Sequence, residues 1–212
     1  MVAEAPNNPA SSDSYIRRDP DVRLMIGVRA GDAAAFEELV RKYQNRLVGI
    51  LEHLVGNRHQ AEDLAQEVFL RVYRARDKYE PKAKFSTWLF TIANNVARNA
   101  KRNLARRIQA RPAGDGDGSS DLPLAEIVQA ASGVMPTRQL EREEVGELVR
   151  LALASLGERQ RMVLLLAKFE NMNYDEIAET MGLSRSAVKS LALRARASLK
   201  EALEPYVRSG MM

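Results

Sequence analysis

Three stretches in the first half of the chain repeat apolar residues at the three- and four-residue intervals of an amphipathic helix. The stripes run from Phe36 to Leu54, from Leu64 to Val72 and from Phe85 to Val96. No stretch keeps the two-residue alternation of a half-buried strand, and no Asn-Gly or Asp-Gly turn separates β-branched runs. The pattern predicts an all-α chain that begins with a bundle of about three or four helices.

The second half of the chain carries start signals for further helices. Ser155 is followed three residues later by Glu158, and Asn173 by Glu176, which is the spacing of a capping box. Ser184 is suited to cap the helix that follows it. These signals predict a second helical domain.

A stretch rich in Gly, Pro, Ser and Asp separates the two helical regions. It reads PAGDGDGSSDLP from Pro112 to Pro123, a composition typical of a flexible linker. Its aspartates Asp115, Asp117 and Asp121 do not form a calcium loop, because the pattern of oxygen ligands closing on a Glu is missing. The expected order is a disordered tail (1–20), an N-terminal helical domain (21–111), the linker (112–135) and a C-terminal helical domain (136–208).

Composition narrows the classes of function. Hydrophobic residues make up 45% of the 212 residues, enough for a packed core. The chain has no cysteine, which excludes disulfides, thiol catalysis and thiolate metal sites. The longest apolar run, Met162–Ala167, is too short to span a bilayer, and the N-terminus lacks the basic and apolar regions of a signal peptide. We expect a cytoplasmic protein without membrane insertion, metal or cofactor.

The distribution of charge says more than the net charge of +4. The window from Pro81 to Gly114 contains no Asp or Glu but many Lys and Arg residues, and the window from Thr180 to Lys200 repeats this pattern. One basic run is usually a solvated face. Two acid-free windows in separate segments, in a chain with 28 acidic residues, favour a polyanion partner.

The segment YDEIAETMGLSRSAVKSLALRAR, from Tyr174 to Arg196, has the pattern of a helix-turn-helix. Such a motif needs a small residue where the helices cross, a residue tolerant of positive φ at the turn, and apolar residues inside the second helix. Ala178, Gly182 and Val188 meet these needs in order. The other inward positions hold Ile177, Met181, Leu183 and Leu191. We predict a DNA-binding helix-turn-helix here.

The second helix of this motif turns polar residues outward. Arg185, Ser186, Lys189 and Ser190 lie near its N-terminal half, the part that reaches base edges in the major groove. Arg194 and Arg196 lie further along and are better suited to contact phosphates.

The N-terminal domain offers two candidate surfaces. One is the outward side of the helix AEDLAQEVFLRVYR, with Asp63, Gln66, Glu67 and Arg71, which composition alone does not distinguish from an ordinary charged surface. The other is YEPKAKFSTWLFTIANNVARNAKRN, where aromatic residues alternate with cations and could stack unpaired bases. Helical spacing favours core positions for Phe85 and Trp88, and less so for Tyr79 and the loop from Lys78 to Lys84.

Four segments in order resemble the extracytoplasmic-function (ECF) group of sigma factors in the sigma-70 superfamily. They are GDAAAFEELVRKYQ, AEDLAQEVFLRVY, KFSTWLFTIANNVARN and LGERQRMVLLLAKFENMNYDEIAETMGLSRSAVKSLALRARASL. The match covers about residues 24–108 and 136–203, most of the chain. The linker also falls where the family has one.

The resemblance implies a role for each candidate surface. Asp63, Gln66, Glu67 and Arg71 would bind the clamp helices of the RNA polymerase β′ subunit. The minus-ten promoter element would be recognised and opened by a second set: Lys78, Tyr79, Lys82, Lys84, Phe85, Trp88, Asn95 and Arg98. The helix-turn-helix would read the minus-thirty-five element through Arg185, Ser186, Lys189, Ser190, Arg194 and Arg196. The β flap and an anti-sigma protein are further implied partners.

Two positions depart from the family pattern. Leu191 and Ala192 stand where members often carry Arg-Leu, which removes a possible DNA contact. Gly157 stands where members often have Pro.

Three other functions fit the sequence less well than that of a sigma factor. A conventional regulator would need a receiver with alternating strands and helices. An enzyme would need a catalytic constellation, but His53 and His59 are six residues apart instead of four, and the sequence has no Gly-rich phosphate loop and no activated nucleophile. An adaptor for acidic proteins would lack salt-dependent affinity for DNA. We expect a non-enzymatic transcription factor.

Overall fold

The computed structural model describes residues 9–109 and 138–208, which form helices joined by short connections. The first region contains α1 (Pro9–Arg18), α2 (Pro20–Arg29), α3 (Ala33–Val55), α4 (Arg58–Arg74), a 3₁₀ helix (Arg76–Lys78) and α5 (Phe85–Gln109). The second contains α6 (Arg138–Ala154), α7 (Glu158–Phe169), α8 (Tyr174–Met181) and α9 (Arg185–Arg208). The all-α prediction and its two helical regions are confirmed. The predicted linker, 112–135, lies outside the described residues.

Helices α3, α4 and α5 coincide with the three apolar stripes and enclose the core of the first region. Leu39, Leu47 and Leu51 of α3 are fully buried, as are Val68 of α4 and Phe90 of α5. Short polar residues begin two of these helices. The Asp32 carboxylate accepts hydrogen bonds from the amides of Ala34 and Ala35, and Asn57 accepts one from Gln60.

Helix α1 occupies much of the segment expected to be a disordered tail, and α2 follows it directly. Tyr15 and Ile16 pack against the core, and this apolar anchor outweighs the polar composition of the segment. Asp19 caps α2 and Pro20 is its first residue, an arrangement suited to a helix start. The tail expectation is therefore wrong for residues 9–20; residues 1–8 are not among the described ones.

The second region is built on α7, α8 and α9. Leu165 and Leu166 of α7, Ile177 of α8 and Val188 of α9 are fully buried together. The capping box predicted at the start of α8 is confirmed, because Asn173 accepts from the amides at the start of α8 and Glu176 accepts the Asn173 N–H.

The capping box predicted for Ser155 and Glu158 is wrong. The Ser155 hydroxyl instead donates to the carbonyl of Ala152 in the last turn of α6. Helix α7 begins after Gly157, whose N–H donates to Gln160 Oε1 at 3.1 Å.

The two regions pack against each other, with α5 against α8 and α3 against α7. The Arg46 guanidinium of α3 forms an ion pair with the buried carboxylate of Glu170, with an Nε–Oε1 distance of 3.2 Å. The Arg161 guanidinium donates to the backbone oxygen of His53 at 2.8 Å. Lys84 Nζ lies 2.7 Å from Glu176 Oε1. Charged side chains of both regions therefore bind across the contact.

Candidate nucleic-acid interface

The turn between α8 and α9 has the geometry that a helix-turn-helix requires. Gly182 adopts the left-handed conformation (φ 63°, ψ 41°), which lets the N–H of Leu183 reach the Ala178 carbonyl at 2.9 Å. The Ser184 hydroxyl then accepts from the Ala187 amide at 3.2 Å and caps α9. Val188 is fully buried beneath the crossing.

All six residues predicted to contact the minus-thirty-five element are exposed on α9: Arg185, Ser186, Lys189, Ser190, Arg194 and Arg196. Because four and seven residues separate Arg185, Lys189 and Arg196, these cations lie along one stripe of the helix. Arg194 is turned toward the other edge, where it lines a cleft. Arg185 also lies 3.5 Å from the Asp175 carboxylate, with both side chains exposed.

Sequence reasoning missed one residue on this face. Leu193 is 70% exposed and lies between the positions of Lys189 and Arg196. The available signal was its spacing of four from Lys189, which puts an apolar side chain in the middle of a basic stripe.

The predicted minus-ten residues divide into an exposed and a buried set. The exposed cations and amide are Lys78, Lys82, Lys84, Asn95 and Arg98, and Trp88 is half-buried. Tyr79 is only 2% exposed and Phe85 is fully buried, so neither side chain is accessible to DNA in this arrangement, and their contact with the minus-ten element stays a prediction.

An aromatic cluster explains why Tyr79 and Phe85 point inward. The Tyr79 ring lies 4.8 Å from Trp88 and 6.5 Å from Phe85, and the Phe85 ring lies 5.3 Å from Tyr43 of α3. Burial raises the pKa of Tyr79 well above its ordinary value, and the nearby Asp19 carboxylate adds to this. These ring contacts hold both ends of the loop between Tyr79 and Phe85 against the core of the first region.

The outward side of α4 forms a third surface. Asp63 and Gln66 are exposed, and Glu67 pairs with Arg71 at 2.7 Å. Leu70, a residue absent from the predicted set, is 50% exposed on the same side. Leu70 follows Asp63 by seven residues, or two helical turns, and this spacing would have placed it on the same face of α4.

Tyr73 is a second exposed apolar residue beside this surface. Its ring packs 5.1 Å from Phe36, and the Arg76 guanidinium lies 4.2 Å above it. These contacts hold the ring at the end of α4.

A cleft of about 540 Å³ joins the two predicted DNA-binding faces. Arg98 of α5 and Arg194 of α9 both line it, together with Glu158 of α7. The cations assigned to different promoter elements are therefore neighbours in this arrangement.

The two histidines occupy different environments. His53 lies 6.0 Å from the Phe169 ring, and burial lowers its pKa. His59 is exposed, with Nδ1 3.8 Å from Glu62. Within residues 9–109 and 138–208, no three His, Asp or Glu residues converge as a metal site would require.

Family models match both regions of the chain. Sigma-70 region 2 matches residues 39–107, and Sigma-70, region 4 matches residues 146–199. The helix-turn-helix lies within the second match and the predicted minus-ten loop within the first.

Individual relatives match over most of the chain. RNA polymerase sigma-H factor of Pseudomonas aeruginosa is 33% identical over 194 residues, which cover 91% of this chain and 98% of that protein. ECF RNA polymerase sigma factor SigW of Bacillus subtilis is 31% identical over 179 residues, or 83% of this chain and 92% of that protein. The solved structure of CnrH in complex with the cytosolic domain of CnrY is similar, with a TM-score of 0.63 and 25% identity, covering 88% of this chain and 99% of that chain.

Helices in the described part of the chain are too short or too polar to cross a membrane.

Proposed function

Because the chain belongs to the ECF group of sigma-70 RNA polymerase sigma factors, we propose that three of its surfaces have separate roles in transcription initiation. Such a factor binds core RNA polymerase, directs it to promoters and helps to open the minus-ten element. The observation that carries the assignment of surfaces is the exposed basic face of α9, set on a helix-turn-helix.

The α9 face reads the minus-thirty-five element in this proposal. Its N-terminal half, with Arg185, Ser186, Lys189 and Ser190, contacts base edges in the major groove. Arg194 and Arg196 neutralise phosphates and fix the register. Exposure of all six side chains supports this division.

The loop between the 3₁₀ helix and α5 acts on the minus-ten element. Lys78, Lys82, Lys84, Asn95 and Arg98 supply exposed donors along this edge, and the half-buried Trp88 supplies an aromatic surface. Tyr79 and Phe85 support the loop from inside.

The α4 surface binds core polymerase through Asp63, Gln66, Glu67 and Arg71. Leu70 gives this charged surface an apolar centre, as protein interfaces commonly have. The regions 9–109 and 138–208 then correspond to sigma regions 2 and 4, with residues 112–135 as the link between them. The β flap of the polymerase is the proposed partner of the second region.

The protein acts in the cytoplasm with polymerase and catalyses no reaction itself. We also assign it an anti-sigma partner, since the similar CnrH was solved with a second protein, the cytosolic domain of CnrY. Such a partner holds the factor inactive until it is released.

Transcription in vitro tests the proposal. Core RNA polymerase is incubated with a genomic promoter library, with and without the full-length protein. New start sites that depend on the protein are expected, and their upstream sequences should share two elements. Binding to duplex DNA by the protein alone, without such start sites, would instead indicate a conventional regulator.

Replacing Lys189 tests the reading of the minus-thirty-five element. Lys189→Ala is expected to weaken holoenzyme binding to the native promoter by about 1–3 kcal/mol and to relax selectivity at one base pair. Lys200→Ala, which removes an equal charge from the C-terminal half of α9, is the matched control and should weaken binding to all sequences alike. Equal losses on native and scrambled elements for Lys189→Ala would exclude base reading by this residue.

Replacing Asp63 and Glu67 together tests the polymerase surface. The double variant Asp63→Ala and Glu67→Ala is expected to lower affinity for core polymerase in a competition assay, while helical content stays unchanged. The matched control removes two exposed carboxylates from α3, with Glu37→Ala and Glu38→Ala. If both double variants compete like the wild-type protein, α4 is not the binding surface.

A further inference from the structure

Helix α2 holds both ends of the loop that the proposed function assigns to the minus-ten element. The Arg29 guanidinium, at the last residue of α2, donates to the backbone oxygen of Tyr79 at 3.1 Å. The Asp19 carboxylate, at the N-cap of α2, accepts from the backbone N–H of Phe85 at 3.0 Å. Residues 80–84 lie between these two anchors. The loop is therefore tied at its entry and at its exit to a single short helix.

Asp19 joins the starts of two helices. Its Oδ1 accepts from the Asp21 amide at 2.9 Å and caps α2, while its Oδ2 binds the amide of the first residue of α5. A carboxylate is favoured at a helix N-terminus, where the backbone amides lack partners and the helix dipole is positive. Hydrogen bonds to a charged group are also stronger than neutral ones. The α5 end of the loop is fixed by this side chain.

A buried polar network anchors α2 itself to the core. The carboxylate of Asp21 is bound by Lys42 Nζ at 2.6 and 2.7 Å and by the Tyr43 hydroxyl at 2.6 Å. Val22 and Met25 of α2 are fully buried beside this network. Helix α2 is therefore a rigid support, and Arg29 and Asp19 transmit its position to the loop.

We propose that Asp19 and Arg29 are positioning residues for promoter opening. They hold the loop backbone so that Lys82 and Trp88 are already arranged for the separated strand, while Lys84 first has to leave its ion pair with Glu176. A loop ordered before binding does not lose that conformational entropy when DNA binds. The inference rests on the proposed function of the loop. Neither residue itself needs to contact DNA.

Three substitutions separate this role from a general effect on folding. Arg29→Ala removes the donor to Tyr79, and Arg29→Lys retains a charged donor at the same place. Asp19→Asn keeps a good N-cap for α2, because its side-chain oxygen can still accept from the Asp21 amide. Its NH2 group, however, replaces the Oδ2 that accepts from the Phe85 amide, and an NH2 group only donates. Arg23→Ala is the matched control, because this α2 arginine donates to the backbone oxygens of Ile16 and Arg17 and not to the loop.

Each full-length variant is assembled with core polymerase, and opening of a duplex promoter is followed by 2-aminopurine fluorescence in the minus-ten element. Affinity for core polymerase and thermal stability are measured alongside. Arg29→Ala and Asp19→Asn are expected to slow opening roughly tenfold, the effect of losing one charge-assisted hydrogen bond, with core affinity unchanged. Arg29→Lys should recover most of the rate, and Arg23→Ala should open the promoter like the wild-type protein.

A loop variant, Lys82→Ala with Lys84→Ala, distinguishes failure of the inference from failure of the proposed function. If this double variant slows opening while Arg29→Ala and Asp19→Asn do not, the positioning role is overturned and the loop keeps its assignment. If it opens the promoter normally, the loop assignment fails and the inference fails with it. Parallel losses of opening and core affinity in Arg29→Ala, without rescue by Arg29→Lys, would reduce the role to folding and also overturn the inference.

Discussion

At the scale of single residues, His53 makes the stability of the protein sensitive to pH. Burial lowers its pKa, the charges of Arg161 and Arg150 act in the same direction, and Glu52 opposes them. The unfolded chain therefore binds a proton on this histidine more readily than the folded chain does. The stability present above the unfolded pKa of about 6.5 is lost as pH falls toward the lower folded value.

Replacing His53 should remove part of this dependence. We expect the free energy of unfolding in urea to fall less between pH 7.5 and pH 5 for His53→Gln than for the wild-type protein. His59→Gln is the matched control, because that side chain is 96% exposed, and it should keep the wild-type slope. Identical slopes for all three proteins would contradict the assignment.

The exposure of charged residues in the candidate site could be predicted from the sequence, because the cost of removing a charge from water determines where such residues lie. The cations Lys82, Lys84 and Arg98 are exposed as expected, since burying an unpaired charge is costly. Tyr79 could not be placed in the same way. Its inward position depends on Trp88 in α5 and on Arg29, which is 50 residues away in the chain. Alternation of aromatic and basic residues carries no information about such contacts.

At the scale of secondary structure, the turn between α8 and α9 depends on one backbone conformation. Gly182 has a φ of 63°, and a Cβ there would meet no atom within 4 Å. The cost of Gly182→Ala is therefore conformational, about 1–2 kcal/mol in the free energy of unfolding. Gly146→Ala, an exposed position inside α6, should instead stabilise the helix by about 1 kcal/mol. Chemical denaturation of both variants checks this prediction. The free energy of unfolding should fall in Gly182→Ala and rise in Gly146→Ala.

Local signals predicted some helix boundaries and misled at others. Asn173 and Ser155 both precede a glutamate by three residues, but only Asn173 begins a helix. Ser155 directly follows the end of α6, and its hydroxyl bonds to the helix already formed. Asp19 followed by Pro20 was a valid start signal for α2, which the polar composition of the neighbouring segment concealed.

At the scale of the whole molecule, the contact between the two regions could not be predicted from the sequence. Arg46 and Glu170 are 124 residues apart, and no periodicity links α3 to α7. The contact also engages residues assigned to DNA: Lys84 is paired with Glu176, and Arg98 and Arg194 line one cleft. In the proposed function, Lys84 can contact promoter DNA only after its ion pair with Glu176 breaks.

The Arg46–Glu170 pair is the best place to test how firmly the two regions are joined. The Glu170 side chain is fully buried, and burial raises its pKa while the bound Arg46 opposes that rise. Arg46→Ala leaves a buried carboxylate without its partner. We expect this to weaken the contact by roughly 1–3 kcal/mol and to shift the molecule toward separated regions.

Because the chain has no cysteine, two introduced cysteines can carry fluorophores at unique positions. Glu38→Cys in α3 and Ala197→Cys in α9 are both exposed and report the separation of the regions by energy transfer. Transfer should fall in Arg46→Ala and remain at the wild-type value in Arg41→Ala, which breaks only an exposed pair with Glu37 in the same helix. Glu170→Gln keeps a hydrogen-bond acceptor for Arg46 without a buried charge, so its effect should be smaller than that of Arg46→Ala. Unchanged transfer in Arg46→Ala would mean that the remaining contacts, among them the packing of α5 on α8 and the Lys84–Glu176 ion pair, hold the regions together without the Arg46–Glu170 pair.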